Sequence, residues 1–278
     1  MKKSMKFIGI AVIGIGLLST SCKKREEQTE REEQTEYNET SLDATSSEDD
    51  EMMTKDEEIL VGSPCNYDLT QVLASCAVVT ESSSTFPKTI TIDYGTGCTN
   101  SNGITKKGKI MIYMTNPLST IGAVRQISFD GFFVNSTQIT GTKNLENTGL
   151  NTAGNALISV DADLIFTRDG NTRTRSYDHV REWIGHTTCE RTDDEFKITG
   201  SGSVTRNSGT SRPYTITTAI HIKNSCRYPV AGEVDFGATE TRGCIINYGD
   251  GACDEFAQLT TKRKNKVFTI NLATRSIE

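Results

Sequence analysis

The chain has 278 residues, 35% of them apolar and 7% aromatic, with a formal net charge of −6. That length allows one sizeable core or two small ones, and the acidic balance argues against a nucleic-acid binder, which needs a basic face. Its 39 threonines and 23 glycines against 5 prolines favour extended segments cut by tight turns over helical bundles or collagen.

Residues 1–22 read as an export signal. Lys2, Lys3 and Lys6 precede an apolar run of 12 residues, Phe7 to Leu18, which ends in Ser19-Thr20-Ser21-Cys22. A helix of that length falls short of the roughly 30 Å hydrocarbon core but suits a secretory signal. The segment resembles the lipobox of bacterial lipoprotein precursors, where the cysteine is lipidated and the chain is cut in front of it. Here Leu18 stands four places before Cys22, whereas the commonest form has it three places before. The resemblance implies a lipid anchor of three acyl chains on Cys22, and more than one chain holds a protein to a membrane without spanning it. Cys22-Lys23-Lys24-Arg25-Glu26-Glu27 is also similar to the start of Bacteroidota lipoproteins, in which lysine and acidic residues direct export to the cell surface. The expected location is the cell envelope at the outer membrane, with the surface and periplasmic sides both open.

Residues 23–58 carry 15 acidic and 5 basic side chains, a local charge of −10. Arg-Glu-Glu-Gln-Thr-Glu occurs at 25–30 and again at 31–36, where helix formers and i,i+4 pairs permit a short helix. Ser41 to Glu58 has little to bury and is expected to be disordered, making the segment an acidic tether. Its flexible span is roughly 30–35 Å.

Residues 59–278 read as one β-rich domain. Asp68 to Val79 is a helix candidate, although Cys76 to Thr80 equally suits a strand. Ile90, Ile92 and Tyr94 alternate with Thr89, Thr91 and Asp93; Val160, Leu164 and Phe166 alternate with Asp161 and Asp163; Tyr214, Ile216, Ile220 and Ile222 share another face. This period of two marks strands with one buried and one wet face. Turns are expected at Asn135-Ser136, Asp169-Gly170 and Asn207-Ser208-Gly209. About a dozen strands with no βαβ spacing make the fold class all-β, an antiparallel meander built as an extended sheet or a sandwich. Ile92-Asp-Tyr-Gly-Thr-Gly-Cys98 is echoed by Ile246-Asn-Tyr-Gly-Asp-Gly-Ala-Cys253, and each copy precedes a basic cluster and a strand, so that 92–112 mirrors 246–270.

Phe86-Pro-Lys-Thr-Ile-Thr-Ile-Asp-Tyr-Gly-Thr-Gly-Cys98 and Lys106-Lys-Gly-Lys-Ile110 resemble a family of uncharacterised Bacteroidota lipoproteins. Tyr228-Pro-Val-Ala-Gly232 and Tyr248-Gly-Asp-Gly-Ala-Cys-Asp254 extend the resemblance over about residues 75–272. It implies a β-rich exported domain and carries no catalytic residue across.

Seven cysteines remain after Cys22. In an oxidising compartment they permit disulfides, with Cys244–Cys253 across a hairpin and Cys65–Cys76 as local candidates. His179, His186 and Cys189 match no strong zinc spacing, so no metal and no cofactor are expected. The Gly95-Thr-Gly97, Gly200-Ser-Gly202 and Gly249-Asp-Gly251 runs lack phosphate-loop continuations and read as turns. Asp161/Asp163 and Asp193/Asp194 read as carboxylates of a solvated face or a turn, and His221 as a solvated strand residue. No Gly-x-Ser-x-Gly is present. Trp183 and Tyr177 are the candidate stacking platform for a glycan. Arg168, Arg173, Arg175, Arg181 and Arg191 read as a basic sheet edge. The functional expectation is a non-catalytic binding module with a glycan or protein partner of the envelope and no nucleic acid. A structural or adhesin-like subunit is the alternative, and an extracellular hydrolase the more distant one.

Overall fold

The computed structural model describes residues 73, 75–100, 103–185, 193–239, 242–274 and 276–277, together with Gln28 and Arg31. The export signal with Cys22, nearly all of the tether, Cys65, and His186 to Arg191 lie outside the described residues. Gln28 and Arg31, within the repeated hexapeptide, are helical.

The rest of the regular structure among the described residues is strand, apart from a single 3₁₀ position at Asp193. In chain order these are β1 (Val78–Glu81), β2 (Lys88–Asp93), β3 (Cys98–Thr99), β4 (Thr105–Met114), β5 (Val124–Val134), β6 (Thr137–Leu150), β7 (Ala156–Arg168) and β8 (Asn171–Gly185). There follow β9 (Glu195–Arg206), β10 (Ser211–Lys223), β11 (Ala231–Thr239), β12 (Arg242–Asp250), β13 (Phe256–Thr261), β14 (Val267–Asn271) and β15 (Ser276–Ile277). They form one antiparallel sheet in which each strand pairs with its sequence neighbours, and only β3 leaves the path, pairing β4. The architecture is therefore the extended-sheet form of the all-β meander, without a break into two sheets. The helix candidate at 68–79 resolves, where described, into the start of β1.

The turns explain the register. Asp169 and Gly170 have φ of 50° and 76°, the two positive values a two-residue type I′ turn needs, and they pair Arg168 with Asn171. Asn135, with φ of 53°, is the one positive-φ residue of the two-residue β5–β6 loop, which pairs Val134 with Thr137. Because both loops are this short, the inward set of β7 continues directly into that of β8.

One face of the sheet is buried along its whole width. Ile90 and Ile92, Ile110 and Ile112, Val160 and Leu164, Val234, Ile246, Leu259 and Ile270 all belong to one contiguous cluster. Thr89, Thr91, Asp161 and Asp163 point the other way. Among the described residues no helix or second sheet covers the apolar face.

Two disulfides clip the ends of the meander. Cys76 joins Cys98 with Cα atoms 5.6 Å apart, and Cys226 joins Cys253 with Cα atoms 5.3 Å apart. Both sequence-based pairings are thus corrected: Cys253 and Cys76 are bridged, but to Cys226 and Cys98. Cys244 is fully buried on the inward face of β12 and outside both bridges. In an antiparallel meander every second connection returns to the same end of the sheet. The β10–β11 and β12–β13 connections therefore share an end, which brings Cys226 to Cys253, while Cys244 sits near the opposite end of its strand.

The echo also separates on folding. Lys106, Lys107 and Lys109 lie within β4, whereas Lys262 to Lys266 form the β13–β14 turn. Gly200 and Gly202 are strand residues of β9, not turn residues, and Gly249 falls inside β12.

Candidate functional site

On β8 the pattern that marks the other strands is inverted. Its inward row reads Arg173, Arg175, Tyr177, His179, Arg181 and Trp183; Thr174, Ser176, Asp178, Val180 and Glu182 occupy the outward row. Tyr177, Arg181 and Trp183 are buried, and Arg175 and His179 are half-buried. β8 lies between β7 and β9 in the middle of the sheet. The arginines are therefore not an edge guard: three of them lie on the inward row. Trp183 and Tyr177, expected as an exposed shelf, are instead 7% and 6% exposed.

The neighbouring strands make room for this row. Ala162 of β7 pairs with Tyr177, and on the other side Gly202 and Gly200 of β9 pair with Tyr177 and His179. A Cβ at position 202 would come 2.6 Å from the Tyr214 hydroxyl and 2.7 Å from Tyr177 Cβ, so only glycine lets both tyrosines close over β9. The rings then pack as a group. Tyr177 stacks on His179 at 4.3 Å between centroids, and Tyr214 lies edge-on to His179 at 5.9 Å with its hydroxyl 3.1 Å from Nε2. The Arg175 guanidinium sits 5.3 Å from the Tyr177 ring and 5.7 Å from that of Tyr214. Trp183 meets Phe196 edge-on at 5.3 Å.

Further cations enter the same face from β4, β5 and β6. Lys106, Arg125 and Lys143 are buried, Lys143 to 1% exposure. Arg125 Nη1 donates to the Met114 sulfur at 3.5 Å, and burial lowers its pKa to about 10, which leaves it charged at neutral pH. Asp194, expected on a solvated face or turn, is instead buried beside the start of β9 and is the one carboxylate among the described buried residues. Among the described residues the charged groups that enter this apolar face are mostly cationic, and their field is positive at His179.

His179 registers that field. Burial, then Arg175, Arg181 and Lys143, push its pKa down to about 2, so the folded protein holds a neutral imidazole. In the unfolded chain the same imidazole takes a proton below about pH 6.5. The unfolded state then binds the extra proton, so stability is complete above that pH and falls as pH drops below it. Urea unfolding at about pH 7 and about pH 5 should show wild type losing up to about 2 kcal/mol more than His179→Gln. Equal losses would remove His179 as the source.

The outward face behaves differently. Asp178 faces Asp161 across the β7–β8 pair, and a hydrogen bond between the two raises the Asp178 pKa, with Asp163 adding to the effect. The Gly95 backbone amide and Lys109 lower that of Asp93, against a smaller opposing effect of burial. His221, expected to be solvated, is half-buried and hydrogen-bonds Glu195 at 2.8 Å, tying β10 to β9. Among the described residues no group of three or more His, Cys, Asp or Glu side chains is arranged to hold a metal ion. His186 and Cys189 of the weak metal candidate lie outside the described residues.

The β8 row was visible in the sequence as Arg-x-Arg-x-Tyr-x-His-x-Arg-x-Trp from Arg173 to Trp183, a period-two pattern of large cationic and aromatic groups. Comparison with protein-family models, with curated proteins and with solved structures returns no match, so the site is characterised by its own geometry.

Proposed function

We propose that this chain is a lipid-anchored cell-envelope protein whose β-rich domain is a non-catalytic binding module, held from the outer membrane by an acidic tether. The observation that carries the binding reading is the cationic and aromatic row of β8, set into an otherwise apolar face. Residues with long, charged side chains are rarely buried in a face whose sole task is packing, because desolvating them is costly. Export is supported by the sequence of residues 1–22, and two disulfides fit an oxidising compartment.

Two measurements test the reading. Cys22→Ala should move the protein from the membrane pellet to the soluble fraction without detergent, and retention in the pellet would sink the anchor. Purified from its host's membranes, the full chain should show a non-covalent adduct in native mass spectrometry that Arg175→Ala loses. An adduct-free wild type would remove the binding reading. A structural subunit is the second reading, favoured by β1: it stands at one end of the sheet and leaves Val78 59% exposed.

A further inference from the structure

The meander sorts charge by end. Successive connections of an antiparallel meander alternate between the two ends of the sheet. The β2–β4, β5–β6, β7–β8, β9–β10, β11–β12 and β13–β14 connections share one end, and the others lie opposite. Counting each connection with up to three strand residues on either side, the first end holds 11 basic and 3 acidic residues. The opposite end holds 7 basic and 9 acidic. Asp235 also reaches the first end, bonding Lys262 at 2.7 Å, and Arg168 lies 3.6 Å from Asp169. With Asp235 counted, 11 basic residues still stand against 4 acidic, and that excess is a sum over the whole end, whichever pairs form within it. Arg168, Arg263, Lys264 and Lys266 are exposed there, and Lys107 is half-buried.

The chain itself delivers the opposite charge to this end. The β1–β2 connection belongs to the other end, so β1 begins at the basic one, with Val78 opposite Asp93. The Cys76–Cys98 bridge fastens that entry to β3, within the β2–β4 connection. Upstream, Asp43 to Glu58 holds 8 acidic residues and a single basic one, Lys55. Leu73 is buried in the core and follows Glu58 by 15 residues. A flexible chain of that length spans roughly 20 Å. β4 is two strand gaps from β1, about 10 Å, and β8 is six gaps away, about 29 Å. The acidic run is therefore kept within reach of the basic end at an effective concentration near millimolar. One exposed ion pair contributes little, but many acids confined against a common excess act together, to an extent that salt screens.

Resting on the tether reading above and not on the binding module, we infer that the acidic run Asp43 to Glu58 docks along the basic end of the sheet, a salt-released strap between anchor and domain. An anionic lipid surface and the tether of a second copy carry the same kind of charge. The chain's own tether is favoured because it is fixed covalently to this end and lies between the anchor and the basic residues.

The sign of the salt response separates a docked run from a free spacer. A free acidic chain contracts as salt screens its self-repulsion, whereas a docked one is released. Small-angle neutron scattering of the full chain in a contrast-matched maltoside should give a radius of gyration that grows between about 20 mM and about 500 mM sodium chloride. The triple variant Arg168→Glu, Arg263→Glu, Lys264→Glu, at three exposed positions, should be expanded at low salt and contract as salt rises; circular dichroism checks its fold. Carbodiimide coupling of carboxylates to lysines at low salt should join the run to Lys107, Lys109, Lys264 or Lys266, and these links should be lost at high salt. Mixed light and nitrogen-15 chains should give links within one isotope only. A wild-type radius that falls with salt, or links spread evenly over Lys88, Lys197 and Lys223, overturns the inference. Links between light and heavy chains overturn it in favour of a second copy. Links that form in phosphatidylcholine vesicles but vanish when phosphatidylglycerol is added overturn it in favour of the lipid surface. Each of these failures leaves the anchor standing, which the Cys22→Ala fractionation reports by itself.

Discussion

Phe132→Ala should lower the free energy of unfolding by about 3–5 kcal/mol, the cost of losing a fully buried aromatic and leaving a cavity. Phe132 is wholly inaccessible and packs between Tyr94, at 5.9 Å between centroids, and Phe129, at 5.6 Å. It therefore joins the end of β2 to β5 across β4. Among the described residues no second layer stands ready to fill such a void, and neighbours fixed by ladder hydrogen bonds on both sides collapse poorly into it. Chemical denaturation followed by far-ultraviolet circular dichroism gives the difference, with Val267→Ala as the surface control. Val267 is 58% exposed and should change stability by no more than about 0.5 kcal/mol. Equal effects at the two positions would mean that the β2–β5 core does not hold the sheet.

Gly200→Val should be at least as damaging, by about 3–5 kcal/mol, and for a different reason. Gly200 has φ of 127°, a conformation closed to a β-branched residue, and a Cβ there would overlap the carbonyl of Asp178 and come 2.9 Å from the Cα of His179. The change combines backbone strain with overpacking between β8 and β9, directly behind the cationic row. Thermal unfolding should fall by about 6–20 °C for a domain of this size. Gly209→Ala, at a turn with open space around it, tests whether positive φ alone is enough: only the modest strain cost of about 1 kcal/mol is expected there. If Gly200→Val matched Gly209→Ala, close approach of β9 to β8 would not be what position 200 requires.

The two positions show what kind of information the sequence holds. Phe132 belongs to an apolar run, Phe132-Phe133-Val134, readable as a strand but silent about which ring faces inward. The bulge opposite Gly108 and Gly131 decides that. Gly200 sits in Gly-Ser-Gly-Ser, which reads as a loop when local propensity is all there is. In the sheet it is the opposite, a strand position kept bare because the β8 backbone at Asp178 and His179 closes on it. Turn chemistry was legible wherever the turn is local, as at Asn135-Ser136 and Asp169-Gly170, because positive φ is a property of one or two residues.

The candidate site was half legible. The sequence shows the β8 residues and their period of two, but local pattern places the arginines at a sheet edge and Tyr177 and Trp183 on a stacking platform. Apolarity is the usual guide to the inward face, and on β8 it misleads, since the inward row holds the arginines and the outward row holds Val180 and Ile184. Only the register with Val160, Ala162 and Leu164 of β7 shows which way Arg175 and Arg181 point.

The sequence alone determined the class of this protein: short alternating strands, local hairpin turns and an antiparallel meander, all set by interactions within a few residues. Tertiary structure decided everything that depends on which connections share an end and which rows share a face. It paired Cys226 with Cys253 and Cys76 with Cys98, since alternate connections return to one end of the sheet. It also gathered Lys143, Arg175, Arg181 and His179 onto one buried surface, because strand pairing, not distance along the chain, sets which charges act on each other.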